Sequence, residues 1–188
     1  MPVRRMQQPA VEPLTLVQAK QHLRVDFDDD DELITDLISV ARETAEDRTS
    51  RALILSRWRL TVDAFSPALE LPNPPCLSVQ SVTFFDVDGV QRTLDPADYF
   101  VDTVSEPAYI VPAAGRSWPA TQDRINAIVV EYSAGYGAAA ADVPKPVVQW
   151  IKLAMTDLYD NRSLSADKPQ VPQNFADSLL DVYKMVVV

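Results

Sequence analysis

The apolar residues of this chain change period twice. Leu33, Ile34, Leu37, Ile38, Ala41 and Ala45 recur at three and four residues, and Val147, Trp150, Ile151, Ala154, Met155 and Leu158 do the same near the other end. Both series are the stripe of an amphipathic helix. From about Leu53 the texture alternates instead and turns to β-branched and aromatic residues, as in LILSRWRLTVDAF and INAIVVEYSAGYG. A period of two is what a half-buried strand requires. Helical ends around a strand-like middle predict an α+β fold, an α-helical bundle of about four helices with an inserted small antiparallel β-domain. The expected divisions are an extended N-terminal arm over 1–13, the bundle over 14–52 and 142–188, and the β-domain over 53–141.

Local signals sharpen the boundaries. Thr15 and Gln18 have the spacing of a capping box, and Leu16, Ala19 and Leu23 give the helix after it a short apolar face. In VDFDDDDELI, residues 25–34, the acidic run Asp28, Asp29, Asp30, Asp31 and Glu32 falls where the second helix begins. The unpaired amides and positive dipole end of a helix favour carboxylates there, and Asp29 with Glu32 fits a capping pair. Arg42, Arg48 and Arg51 lie toward the opposite end. Asp88-Gly89 between two strand-like runs predicts a hairpin. With DYFVD, AYIVP and INAIVVEYSAGYG, the middle of the chain holds roughly five to seven strands. Pro146 suits a first helical turn. A polar linker, SLSADKPQVPQ, precedes NFADSLLDVYKM, which Asn174 can cap.

Bulk properties exclude several functions. At 188 residues and 47% hydrophobic, the chain can bury one good core. A formal charge of −10 opposes retention of nucleic acid, which needs clustered Lys and Arg. Cys76 is alone, so neither an internal disulfide nor a structural zinc site can form, and a reducing compartment fits. No apolar run approaches a membrane span, which points to a product made in a cytosol with no membrane partner.

Candidate chemistry is thin. His22 is the single histidine, and no G-x-S-x-G surrounds any serine, so a thiol hydrolase would require His22 to meet Cys76 in space. Asp86 and Asp88 flank the hairpin turn, where aspartate serves local hydrogen bonding. Set on a calcium loop, Asp26, Asp28 and Asp30 would take its first, third and fifth positions, but the required glycine and glutamate are Asp31 and Leu37. No catalytic residue, cofactor or metal ligand is expected; the alternative reading is an acidic metal-binding or protein-interaction module using Asp26–Asp31. The remaining oddity is the apolar ending VYKMVVV, at a terminus that ordinarily frays into water. Either it docks on its own helices or a neighbouring chain receives it.

Taken together, LTLVQAKQHLRVDFDDDDELITDLISVARETAEDRTSRALI, WRLTVDAF, LELPNPPCLSVQSVTFFDVDG, VVEYSAGYG and VPKPVVQWIKLAMTDLYDNR span most of residues 14–162. In order and spacing they resemble the head-to-tail connector (adaptor) proteins of tailed bacteriophages, prophages and gene-transfer agents; residues 163–188 follow only the general plan. The resemblance implies a structural virion protein without enzymatic activity, made and assembled in a bacterial host. It implies a ring of about a dozen copies under the portal protein, closed by heterologous contacts. Such a ring extends the DNA channel, lets packaged DNA pass without specific binding, and docks stopper or tail-completion proteins. Portal binding is then expected of Phe175, Leu179, Val182, Tyr183, Met185, Val186, Val187 and Val188. The run Asp28–Glu32 is expected to cap its helix or to line a channel wall or subunit seam.

Overall fold

The computed structural model describes residues 2–161 and 174–185, so Val186–Val188 and the whole of the expected linker, 163–173, lie outside the described residues. The chain divides into two compact units, one formed by Val11–Ile54 with Gly137–Val188 and the other by Met1–Ala10 with Leu55–Tyr136. Among the described residues the fold is α+β, with four α-helices in the first unit and eight strands in the second.

In the helical unit, α1 spans Leu16–Leu23, α2 Asp31–Thr49, α3 Lys145–Asp160 and α4 Asn174–Asp181. The capping box opens α1: the Thr15 amide donates to Gln18 Oε1 at 3.1 Å, and the Gln18 amide donates to Thr15 Oγ1 at 3.3 Å. The other three helices pack on α2, which buries Ile34, Ile38, Ala41 and Ala45 as its periodicity requires. From α3 the unit buries Val147, Trp150, Ile151 and Met155, with Pro146 in the first turn; Leu158, expected on the same stripe, is exposed.

Arg42 departs from expectation. It sits not at the helix end but within the core, 2% exposed, bonded to Glu46 and Glu12 at 2.7 Å each. Glu46, 5% exposed, also accepts the Leu53 amide at 2.9 Å. Burial works against the charge of Arg42, but its bond to Glu12 and the field of Glu46 outweigh it and hold the guanidinium above its ordinary pKa.

The β unit contains two antiparallel sheets. Its strands are β1 (Val3–Gln7), β2 (Ser56–Val62), β3 (Leu69–Leu71), β4 (Cys76–Phe85), β5 (Gln91–Thr93), β6 (Tyr99–Asp102), β7 (Ala108–Pro112) and β8 (Ile128–Ala134). One sheet has the order β1-β2-β8-β4-β5 and the other β3-β7-β6. Seven strands come from the middle of the chain. The eighth, β1, comes from the segment read as an arm, which pairs with β2 at Val3↔Leu60, Arg4↔Arg59 and Arg5↔Trp58. Edge pairing of a five-residue segment leaves almost no periodic trace in sequence, since the segment need not bury a full face.

The alternation of β8 is strict on one side: Ile128, Val130, Tyr132 and Ala134 are buried, facing Val62, Leu60, Trp58 and Ser56 across β2. Tyr132 donates its hydroxyl to the Pro72 carbonyl at 2.7 Å, tying this strand to the segment after β3. The predicted hairpin joins β4 and β5. Gly89 adopts φ +77°, and Asp86 accepts the amides of Asp88 and Val90 at 3.1 and 2.9 Å, the local bonding that favours aspartate in turns. In AGYG, Gly135 (φ +138°) donates to the Pro75 carbonyl at 2.9 Å, and a Cβ on Gly137 would lie 2.1 Å from the Asp142 carboxylate. The motif is therefore a strand end with a close approach behind it, not a phosphate loop.

Candidate functional site

Two surfaces of the helical unit hold the residues singled out in the sequence. The first is the C-terminal helix. Leu180 is fully buried, and around it four polar contacts fasten the segment to α2, to Arg51 just past its end, and to α3. Asp177 pairs with Arg48 and accepts Trp150 Nε1 at 3.2 Å, while the Arg48 guanidinium lies 5.2 Å over the Trp150 ring. Arg51 Nε donates to the Tyr183 carbonyl, and the Met185 amide donates to the Thr49 carbonyl at 3.0 Å, satisfying an acceptor that the end of α2 would otherwise leave open.

The outer side of the same segment is apolar and uncovered. Phe175, in the first turn of α4, is 79% exposed, and Val182, in the turn just past its end, is 86% exposed. Leu179, Tyr183 and Met185 are partly buried. The apolar ending thus divides its labour, since one set of residues docks on its own unit and another remains outward.

The second surface is the acidic turn between α1 and α2. Here the expected cap differs: α2 starts at Asp31, its N-cap is Asp30, and the Asp30 carboxylate makes no capping bond. Instead Asp30 accepts the hydroxyl of Tyr159 from α3. The Lys20 ammonium, in the last turn of α1, bonds Asp28 and Asp31 at 2.6 Å each. The bond from Lys20, strengthened by its charge, holds the Asp28 carboxyl below its ordinary pKa. Asp31 and Glu32 occupy the first turn of α2, where the dipole favours them. The run is therefore a junction of three helices. The expected capping pair, Asp29 and Glu32, makes no bond among the described residues, and Asp30, which takes the N-cap position, gives its carboxylate to Tyr159 instead.

The remaining candidates fall in different units. Cys76 belongs to the β unit and His22 to the helical one. Burial pushes the Cys76 thiol up to about 11, which keeps it protonated and unreactive at neutral pH. Among the described residues no group of three or more His, Cys, Asp or Glu is arranged to hold a metal ion. Among them too, no helix is long and apolar enough to cross a membrane. Sequence reasoning passed over Lys20, Tyr159, Arg48, Trp150 and Asp177 as members of these surfaces. Only Lys20 carried a signal, as the cation one helix back from an acidic run.

Comparison with known proteins bears on both surfaces. Residues 13–86, which include α1, the acidic turn and α2, match the family of phage gp6-like head-tail connector proteins. No curated protein matches the chain. Among solved structures, a chain in the neck of an empty gene transfer agent particle, computed with C6 symmetry, aligns with a TM-score of 0.83 at 21% identity, covering 100% of this chain and 97% of that one. A chain in the virion of a native gene transfer agent particle gives 0.83 at 22%, with the same coverage. One in a native neck computed with C12 symmetry gives 0.79 at 22%, again over 100% and 97%. At such identities the likeness concerns the fold, and it extends over both units. The chain is thus similar in sequence to the gp6-like head-tail connector proteins over residues 13–86, and over its whole length it has the fold found in the necks of gene transfer agent particles.

Proposed function

We propose that this protein is a structural head-to-tail connector of a virion, without enzymatic activity. Copies of it assemble as a ring under the portal, extend the DNA channel and offer a platform to stopper or tail-completion proteins. The observation that carries the reading is the coincidence of the family match over α1 and α2 with a fold likeness that covers 100% of this chain and 97% of a neck chain. Physical properties support it. A net charge of −10 keeps passing phosphates from sticking, because like charge raises no counterion-release gain. The exposed pair Phe175 and Val182 is the kind of apolar anchor that a partner pocket rewards.

In this reading the outer face of α4 contacts the portal, together with the C-terminal residues that follow it. Because Leu180 and Asp177 fasten α4 to its own unit, removing residues 175–188 would also strip a packed helix. Phe175→Ser with Val182→Ser is the cleaner perturbation. The doubly substituted protein should keep the wild-type circular dichroism spectrum and lose capture by the cognate portal in a pull-down. Unchanged capture would reject the docking role, and wild-type protein that forms no ring with the portal by native mass spectrometry would reject the connector reading itself.

A further inference from the structure

The outward face of the five-stranded sheet carries an arginine cluster that the connector reading leaves unused. Along β2 the buried Ser56 and Leu60 alternate with outward Arg57 and Arg59. The register sets Arg59 directly opposite Arg4 of β1 on one side and Glu131 of β8 on the other. Like charges directly opposite across strands are unfavourable. Glu131 relieves one of them, bonding Arg59 Nη2 at 2.6 Å, and among the described residues Arg4 and Arg57 have no partner. Beside them β1 bulges at Met6, and a recess of about 250 Å³ opens, walled by Met6, Gln7, Arg57, Trp58, Gln80 and Glu131, whose carboxylate is already held by Arg59. Two open arginines beside a recess in which Met6 and Trp58 offer apolar surface, on a chain of net charge −10, call for an acidic occupant with an apolar tip.

The chain itself bears such an occupant. In the turn between α1 and α2, Asp26, Asp29 and Glu32 are exposed and, among the described residues, unpartnered, and Phe27 stands between them 47% exposed. We propose that the arginine face of one copy seats the Asp26–Glu32 turn of a second copy. Phe27 enters the recess, and the free carboxylates meet Arg4 and Arg57. The inference rests on the ring reading and supplies its contact: two different surfaces on every copy form a heterologous interface, the type that closes into rings. Duplex DNA is the poorer occupant, since two free cations neutralise too few phosphates to overcome the charge of the chain.

Charge exchange in the full chain tests it, with assembly on the cognate portal read by native mass spectrometry. Arg4→Glu with Arg57→Glu, and separately Asp26→Lys with Asp29→Lys, should each lower the assembled fraction about tenfold or more, through like-charge apposition. All four substitutions in one chain should restore it. All positions are exposed, so circular dichroism should be unchanged throughout. Assembly that survives the arginine reversal overturns the proposal. So does loss on arginine reversal that aspartate reversal does not reproduce, which would assign the face to another occupant. Wild-type protein that forms no ring overturns the connector reading along with it, whereas intact rings in every variant overturn only this contact.

Discussion

Replacing Arg42 with methionine probes the most consequential interaction in the helical unit. The guanidinium is 2% exposed and bonds Glu46, 5% exposed, and Glu12, 25% exposed, at 2.7 Å each. Its third contact, Glu43 at 3.3 Å, is half exposed and contributes little. Methionine fills much of the same volume, so the change isolates charge from packing. It removes the buried counter-charge of Glu46, whose carboxylate still accepts the Leu53 amide. Breaking a buried pair from one side costs about 3–5 kcal/mol. Adding Glu46→Gln removes that buried charge yet keeps an oxygen for the Leu53 amide, and should return stability to within about 1–2 kcal/mol of wild type. Urea unfolding followed by the helical circular dichroism signal reads both, with midpoints compared at constant slope. A single variant that loses under about 1 kcal/mol, or a double variant no better than the single, would refute the reasoning.

Three further outcomes follow from the geometry. Tyr159→Phe deletes the hydroxyl given to Asp30 and should cost about 1.5 kcal/mol in the same assay, the scale of a hydrogen bond to a charged group. Cys76, buried and with its thiol pushed up to about 11, should react with iodoacetamide in native protein only as fast as the β unit opens, and rapidly in urea; fast native alkylation would contradict its placement. The bond from Arg92, with the amides of Val90 and Asp88, holds the Asp86 carboxyl below its ordinary pKa. A carboxyl lowered on folding stabilises above its unfolded value of about 3.9 and loses that contribution as pH falls through the folded value. Thermal melts should therefore fall more steeply below about pH 4 for wild type than for Asp86→Asn.

The comparison of reading and structure turns on range of interaction. The Thr15–Gln18 box, the stripes of α2 and α3 and the Asp86–Val90 turn were legible because each is fixed by residues within a few positions of one another. The second surface was legible only as an acidic run beginning a helix. Its actual bonds reach Lys20 on α1 and Tyr159 on α3, and no local pattern specifies them. The outward Phe175 and Val182 were foreseen as apolar residues at a terminus, but not their separation from Leu180, which the packing of α4 decided.

Sequence by itself determined the α+β class, the type of most elements and the acidic surplus, because period, capping chemistry and charge are properties of neighbours along a chain. Tertiary structure alone decided that residues 3–7 complete a sheet, that Arg42 enters a core with two carboxylates around it, and that arginines distant in sequence share one face. Those outcomes depend on which segments meet, and the free energy that selects the meeting is gained only when distant surfaces leave water together.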